Sequence, residues 1–148
     1  MTLEVKILDK LIAGFDKAPQ LVGDELVKAV RDVGALILNT EKREVPAKTG
    51  TLRRSVNMRL FNVGVEIGPN SKYASWVHNG TGIFGPNGSP IVPKRAKVLA
   101  FKVGGKMIFA KSVKGQPANP FVQRTIDSTE GQVNDIFDKV LINTIEKL

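Results

Sequence analysis

The sequence contains no cysteine, and this absence removes several classes of chemistry. A chain without thiols can form no disulfide, cannot use thiol catalysis and cannot bind zinc through cysteine. No apolar run approaches the roughly eighteen residues that a transmembrane helix needs. Residues 1–15 interleave charged with apolar side chains, unlike the continuous apolar core of a signal peptide. Cytoplasmic synthesis without export is therefore the simplest interpretation.

Acidic residues are missing from the whole middle of the chain. Not one Asp or Glu lies between Ile67 and Ile126, in a chain whose net charge is +8. Such a segment attracts polyanions or acidic protein surfaces, but it equally suits a solvated sheet whose lysines discourage edge pairing. The second interpretation is favoured because few aromatic residues are interleaved for stacking on bases. The basic residues of the segment are Lys72, Lys94, Arg95, Lys97, Lys102, Lys106, Lys111, Lys114 and Arg124.

Histidine occurs once, as His78, and it has no obvious catalytic company in the sequence. A general base needs a nucleophile or an orienting carboxylate nearby, and a metal site needs further ligands. The carboxylate pairs Asp24–Glu25 and Glu41–Glu44 fall on a charged helix, where surface ion pairing is the usual role. We therefore predict no catalytic residue, no metal site and no cofactor.

The length of 148 residues suits a single domain, 1–148, with a helical N-terminal part over 1–44. Ala18-Pro19 predicts a break after a first helix, because a residue that precedes proline avoids the helical region. A second helix is predicted over 20–44, ended by Val45-Pro46. Apolar residues at helical spacing are Leu3, Ile7, Leu8, Leu11, Ile12 and Phe15 in the first helix, and Val22, Leu26, Val30, Val33 and Ile37 in the second.

Two hairpins are predicted within residues 51–113. Alternating apolar residues over 51–59 and 63–67 indicate the first hairpin, with Leu52 and Val56 in the core and Arg53 outside. Residues 73–78 are expected to form one helical turn that ends at Asn79-Gly80. Gly104-Gly105 between 96–103 and 106–113 marks the second hairpin, because two glycines allow the positive φ of a tight turn. Neither Gly104-Gly105-Lys106 nor Gly80-Thr81-Gly82 has the spacing of a phosphate-binding loop.

A long loop is predicted over 81–93, which holds three glycines, three prolines and the apolar Phe84. Phe84 either folds onto its own sheet, or it orders the loop against a neighbouring subunit after being mobile in the free one. A last helix is predicted over 120–148, starting at Asn119-Pro120-Phe121. The order of elements predicts an α+β fold, with an antiparallel β-sheet built from hairpins and packed against two long helices. The expected inner stripe of the last helix comprises Phe121, Thr125, Thr129, Val133, Phe137, Val140, Thr144 and Leu148, widened by Val122, Ile126, Ile136, Leu141 and Ile145.

Three motifs in order resemble a bacteriophage family. The first is PAKTGTLRRS over 46–55; the second is VEIGP over 65–69 followed by YASWV over 73–77 and GTG over 80–82; the third is GQPANPF over 115–121. Together they resemble the tail-completion and head–tail joining (neck) proteins of long-tailed phages, which are often described as minor tail components. The chain departs from the commonest pattern at His78-Asn79, where many members have an acidic residue and an aromatic, and in its added Gly/Pro loop and second hairpin.

The resemblance implies a structural virion protein without catalysis, located at the head–tail junction or the tail end and made in the host bacterial cytoplasm. Its implied partners are further copies in a homo-oligomeric ring, formed by the free protein or only on assembly, the connector or head-closure protein, and the tail-tube protein, with non-specific contact to DNA in transit and no membrane. The alternative from composition is a basic nucleic-acid-binding domain; a small hydrolase has no support beyond isolated residues. The motif positions assigned to assembly are Thr49, Gly50, Leu52, Arg53, Tyr73, Ala74, Gly80, Thr81, Phe84, Pro117, Asn119, Pro120 and Phe121.

Overall fold

The computed structural model describes residues 2–61 and 64–147, with side chains from residue 18 onward. Asn62, Val63 and Leu148 lie outside the described residues, as do the side chains of the predicted apolar stripe over 3–15. The elements are α1 (Thr2–Glu44), α2 (Thr51–Ser55), β1 (Val56–Phe61), β2 (Gly64–Pro69), α3 (Ala74–Asn79), a 3-10 turn (Gly82–Phe84), β3 (Leu99–Val103), β4 (Lys106–Ala110) and α4 (Phe121–Lys147).

The α+β class is confirmed, with hairpin-built antiparallel sheets and two long helices. β1 pairs with β2, and β3 pairs with β4, in two separate two-stranded sheets. α1 packs along α4 and against the β1–β2 hairpin. In the described part of the chain, β3 and β4 contact chiefly each other. The second hairpin therefore projects from the body that the other elements form.

The predicted break at Ala18-Pro19 is wrong, because α1 runs through Pro19 without interruption. Proline removes one backbone hydrogen bond from a helix interior and crowds the carbonyl four residues earlier, at a cost of about 3 kcal/mol. Its φ nevertheless suits a helix, and helix propagation on both sides is cooperative. Packing of the following turns on α4 adds tertiary support for one continuous helix.

The predicted strand at 51–55 is also wrong, because these residues form the helical turn α2. Gly50 has a left-handed φ of 72°, and its carbonyl accepts the Arg54 amide at 2.9 Å. Leu52 and Val56 are buried at 4% and 2% exposure, as expected, and Arg53 is exposed. The four-residue spacing of Leu52 and Val56 places them on one face of either a helix or a strand, so the pattern could not separate the two.

α4 packs on α1 through a narrower stripe than predicted. Phe121 and Val140 are buried, while Phe137 is only partly buried and Leu141 is 61% exposed. The buried threonines Thr125, Thr129 and Thr144 each donate the hydroxyl hydrogen to the carbonyl four residues earlier, at 2.7–2.9 Å. This bond satisfies the hydroxyl inside the helix pair.

The far end of the helix pair is joined by a charged contact. Lys147 Nζ lies 2.6 Å from Glu25 Oε1, and Lys28 Nζ lies 3.1 Å from the same oxygen. These hydrogen bonds, that of Lys147 above all, lower the pKa of Glu25.

α1 and the β1–β2 hairpin approach each other closely at Gly34, where a Cβ would stand 2.7 Å from Met58 Sδ. Glycine at this helical position lets the β1–β2 hairpin approach α1.

Candidate assembly surface

The three sequence motifs meet at one core. Its buried members are Val45, Leu52, Val56, Ala74 and Phe121. They come from the end of α1, from α2, from the start of β1, from α3 and from the start of α4. Partly buried residues that pack against this cluster are Leu38, Ile67, Tyr73 and Val77. The motif residues Leu52, Tyr73, Ala74 and Phe121 thus hold the fold together at the point where five elements join.

The second and third motifs also bind each other through the backbone, in a contact that we call the clasp (residues 80–83 with 114–119). Thr81 donates its amide to Gln116 O at 2.8 Å, and the Gln116 amide returns a bond to Thr81 Oγ1 at 2.9 Å. Ile83 donates to Lys114 O at 2.8 Å, and the Asn119 amide donates to Val77 O at 3.0 Å just outside. The clasp fixes the chain that enters α4 against the end of α3.

Three glycines make the clasp possible. Gly80, Gly82 and Gly115 have φ values of 78°, 64° and 93°, a region that side chains other than glycine rarely adopt. A Cβ on Gly82 would collide with the Lys114 carbonyl, and one on Gly115 would collide with the Thr81 carbonyl. A Cβ on Gly80 would lie 2.7 Å from Phe84 O and 2.8 Å from the Ala118 nitrogen. These positions require glycine both for conformation and for backbone approach.

Arg124, which appeared in the sequence only as one of nine basic residues of the middle segment, anchors the third motif. Arg124 Nε donates to Glu44 Oε2 at 2.8 Å, and Arg124 Nη2 donates to Glu44 O at 3.1 Å and Asn119 Oδ1 at 2.7 Å. The planar guanidinium thereby joins the last residue of α1 to the first turn of α4. Asn119, expected to cap α4, directs its side-chain oxygen to Arg124.

His78 lies against the core. Its ring meets the Phe121 ring edge to face at 5.4 Å, and its Nδ1 lies 2.9 Å from Asn79 Oδ1. The other ring nitrogen, Nε2, is buried and has no hydrogen-bond partner among the described residues. Within the same residues, no three His, Asp or Glu side chains gather closely enough to hold a metal ion. The geometry makes His78 a packing partner of Phe121.

Glu41 is the second buried polar group without a full set of partners. The residue is 2% exposed, and Oε1 has no hydrogen-bond partner in the described part of the chain. Burial raises the pKa of the Glu41 carboxyl above its ordinary value. The charged form is therefore less favourable in the folded protein than in the unfolded chain.

We expect Glu41→Gln to raise the free energy of unfolding at neutral pH. Because the raised pKa means that the folded state binds the proton more tightly, wild-type stability should gain as pH falls through the folded pKa towards the ordinary value of 4.5. The glutamine variant should lose that gain. Urea unfolding of both proteins from pH 7 to pH 4 measures it, with the exposed Glu130→Gln as control. A variant less stable than wild type at neutral pH would contradict this role for burial.

The remaining motif residues lie at the surface. Thr49, Arg53, Pro117 and Pro120 are exposed, and Phe84 is 46% exposed. Trp76, between the core residues of α3, is 62% exposed and lines a cavity of about 460 Å³ with the Gly/Pro loop. The assignment of the motif residues to assembly remains a prediction, and Trp76 was not among them.

The Gly/Pro loop is partly ordered within the subunit. Ile91 and Val113 exchange two backbone hydrogen bonds, at 2.9 and 3.0 Å, and Ile83 is held in the clasp. We therefore expect the amides of Ile83 and Ile91 to be protected from hydrogen exchange already in the free subunit. The predicted mobility in the free subunit therefore applies to residues 86–90 of the loop. The Phe84 side chain is exposed and available for contact with a neighbouring subunit.

Three exposed apolar surfaces were not identified from the sequence. The first is a groove of about 430 Å³ between α1, β1 and α4, lined mainly by Leu26, Val27, Leu60, Phe61 and Phe137. The second is the β3–β4 hairpin, and the third is the outer face of α4. The sequence did carry a sign of the second surface, since apolar residues occupy both odd and even positions of 99–110. A strand with one solvated face would instead alternate apolar with polar residues.

Comparison with known proteins places the chain in a phage context. Residues 9–80 match the model of a family described as "Bacteriophage HK97-gp10, putative tail-component". The matched segment runs from within α1 to Gly80 and holds the first motif and most of the second. No curated protein and no solved structure matches the chain. The resemblance to phage tail proteins is thus confirmed: residues 9–80 of this chain are similar to the HK97-gp10-like family of phage tail components.

Proposed function

We propose that this protein completes the tail of a phage or prophage particle, or joins its tail to its head, as a homo-oligomeric ring without catalysis. The observation that carries the proposal is the match of residues 9–80 to a phage tail-component family. The ring would contact the connector or head-closure protein on one side and the tail-tube protein on the other. The protein would accordingly reside in the virion, at the head–tail junction or the tail end.

The distribution of side chains supports a role in assembly. Among the motif residues, Leu52, Ala74 and Phe121 are used in the core, and Thr81 is used in the clasp. The surface instead carries large apolar side chains, among them Trp76, Phe109 and Ile145, at 62%, 65% and 70% exposure. Exposed apolar surface of this extent is typical of proteins that bury it against partners.

A cyclic arrangement follows from the position of such proteins on the tail axis. Subunits around an axis must obey its rotational symmetry, and contacts between two different patches of one chain form a ring when the rotation from copy to copy closes. The described helices include none long and apolar enough to cross a membrane. The proposal requires neither a membrane nor a cofactor.

Deletion of the gene from the phage or prophage that encodes it tests this role. We expect electron micrographs of the lysate to show filled heads and tails that remain separate, or tails with an abnormal end. Expression of the wild-type chain from a plasmid should restore joined, infectious particles. Normal infectious particles in the absence of the protein would refute the proposal.

DNA binding is the alternative, supported by the basic residues of the acid-free segment. In the structure most of these lysines lie on the β3–β4 hairpin and the loops around it, and Arg124 is engaged by Glu44. On α4, Arg124 and Lys147 are paired with carboxylates, and Lys139 is the one other basic residue, so that this helix presents no basic stripe to a groove. A gel shift with double-stranded DNA over a range of salt concentrations measures any such binding, and tight binding with sequence preference would favour this alternative.

A further inference from the structure

The β3–β4 hairpin, which we call the arm, has apolar side chains on both of its faces. The strand register places Phe101 opposite Ile108 on one face, and Ala100 opposite Phe109 on the other. Phe101 and Ile108 are 36% and 39% exposed, and Phe109 is 65% exposed. A lone two-stranded hairpin is at best marginally stable in water. The arm therefore has apolar surface to bury and stability to gain from a partner.

The described part of the subunit gives the arm little cover. Its base is fixed by the Ile91–Val113 bridge, whereas the strands beyond contact chiefly each other. Val103 and Met107, next to the tip, are 55% and 50% exposed. The described residues therefore leave the apolar faces of the arm open to another molecule.

Charge restricts what that molecule presents. Lys102 and Lys106 lie on the arm, Lys97 and Lys111 flank it, and no acidic residue occurs between Ile67 and Ile126. A surface that covers the arm well must be apolar at its centre and acidic around it, because like charges at an interface are costly.

The outer face of α4 has these two properties. Asp138, Leu141, Ile142 and Ile145 follow one another at helical spacing, and the three apolar residues are 61%, 56% and 70% exposed. Asp135 and Glu146 are exposed nearby. Lys139 is the one basic residue among 130–146, and the next basic residue, Lys147, forms an ion pair with Glu25 at 2.6 Å. We call Asp138, Leu141, Ile142 and Ile145 the α4 stripe.

We propose that the arm of one copy docks on the α4 stripe of a second copy. The inference rests on the proposed ring and deepens it, because it names the two surfaces that meet. Arm and stripe are complementary in charge, and both leave apolar residues exposed. They lie on different elements of one chain, so that each copy offers one of each and the contact repeats from copy to copy.

Cross-linking between singly substituted chains tests the contact, and the absence of cysteine makes each new thiol unique. Ala100→Cys on the arm and Asn134→Cys beside the stripe alter exposed, uncharged positions. A flexible thiol-to-thiol cross-linker should join the mixed full-length chains into a heterodimer. The matched control replaces the arm variant by Lys48→Cys, an exposed residue in the loop before α2, and should yield far less product.

Charge exchange gives a second, independent measurement. Lys102→Glu with Lys106→Glu should weaken self-association by about tenfold, and so should Asp135→Lys with Asp138→Lys. Mixing the two double variants should restore association, because opposite charges face each other again. Far-UV circular dichroism of each variant shows that these surface changes leave the fold intact.

The outcomes separate this contact from the ring itself. An oligomer that forms without the arm cross-link, and that both double variants leave unchanged, overturns the arm contact and leaves the ring standing. If the variant Lys102→Glu with Lys106→Glu loses DNA binding but keeps self-association, the arm contact is also overturned and the arm is assigned to DNA. A chain that stays monomeric at its solubility limit and gives no cross-link contradicts both the arm contact and a ring formed by the free protein.

Discussion

Phe121→Ala is expected to lower the free energy of unfolding by about 3–5 kcal/mol, enough to remove much of the stability of a domain of this size. Phe121 is 1% exposed, belongs to the core that all three motifs build, and touches the His78 ring. Truncation leaves a cavity where five elements meet, which cannot collapse without moving one of them. Equilibrium unfolding in urea measures the loss.

Phe109→Ala is the matched control, because it removes the same side chain from a position that is 65% exposed. We expect its cost to stay within about 0.5 kcal/mol in the free subunit. Phe137, which was expected to match Phe121, is only partly buried beside the groove and should cost less than Phe121. Equal losses at Phe121 and Phe109 would contradict the location of the core.

Gly82→Ala and Gly115→Ala should each destabilise the protein by about 2–5 kcal/mol. A left-handed φ costs an alanine about 1–2 kcal/mol, and overpacking adds about 1–3 kcal/mol. The overpacking arises because each Cβ would collide with a backbone carbonyl of the other segment of the clasp, that of Lys114 for Gly82 and that of Thr81 for Gly115. Thermal and urea unfolding give the values.

Gly88→Ala separates the two causes. Gly88 has a similar φ of 58°, and no described atom lies within 4 Å of the place where its Cβ would be. Its cost should therefore be limited to the conformational part of about 1–2 kcal/mol. If alanine at Gly88 were as damaging as at Gly115, the clasp would not depend on close backbone approach.

Periodic patterns predicted most of the fold. The buried residues of α4 repeat at helical spacing, and β1 pairs with β2 as the predicted antiparallel hairpin. Gly104 and Gly105 adopt positive φ values of 57° and 82°, as a tight hairpin turn requires. Local signals of this kind act over a few residues and can therefore be read without tertiary structure.

The errors arise where tertiary contacts override local preference. Pro19 disfavours helix locally, yet α1 continues because both neighbouring stretches propagate helix. The stripe predicted for α4 was too wide, since apolar spacing cannot tell a face that packs within the subunit from one left open. Leu141 and Ile145 belong to the open face.

The candidate site was predictable only in outline. The three motifs were found as an ordered set, but their union through backbone bonds such as Thr81–Gln116 joins residues 35 positions apart. Backbone hydrogen bonds leave no side-chain signature, apart from the glycines that permit them. Arg124 and Glu44, 80 positions apart, likewise carry no sequence signal of their pairing.

Cryo-electron microscopy of purified particles, averaged at the head–tail junction and the tail end, would show the ring itself. We expect several copies of this chain arranged about the tail axis, with α1 and α4 recognisable as two long rods in each subunit. A particle that lacks the protein, or that holds a single copy away from the axis, would contradict a ring-forming tail component.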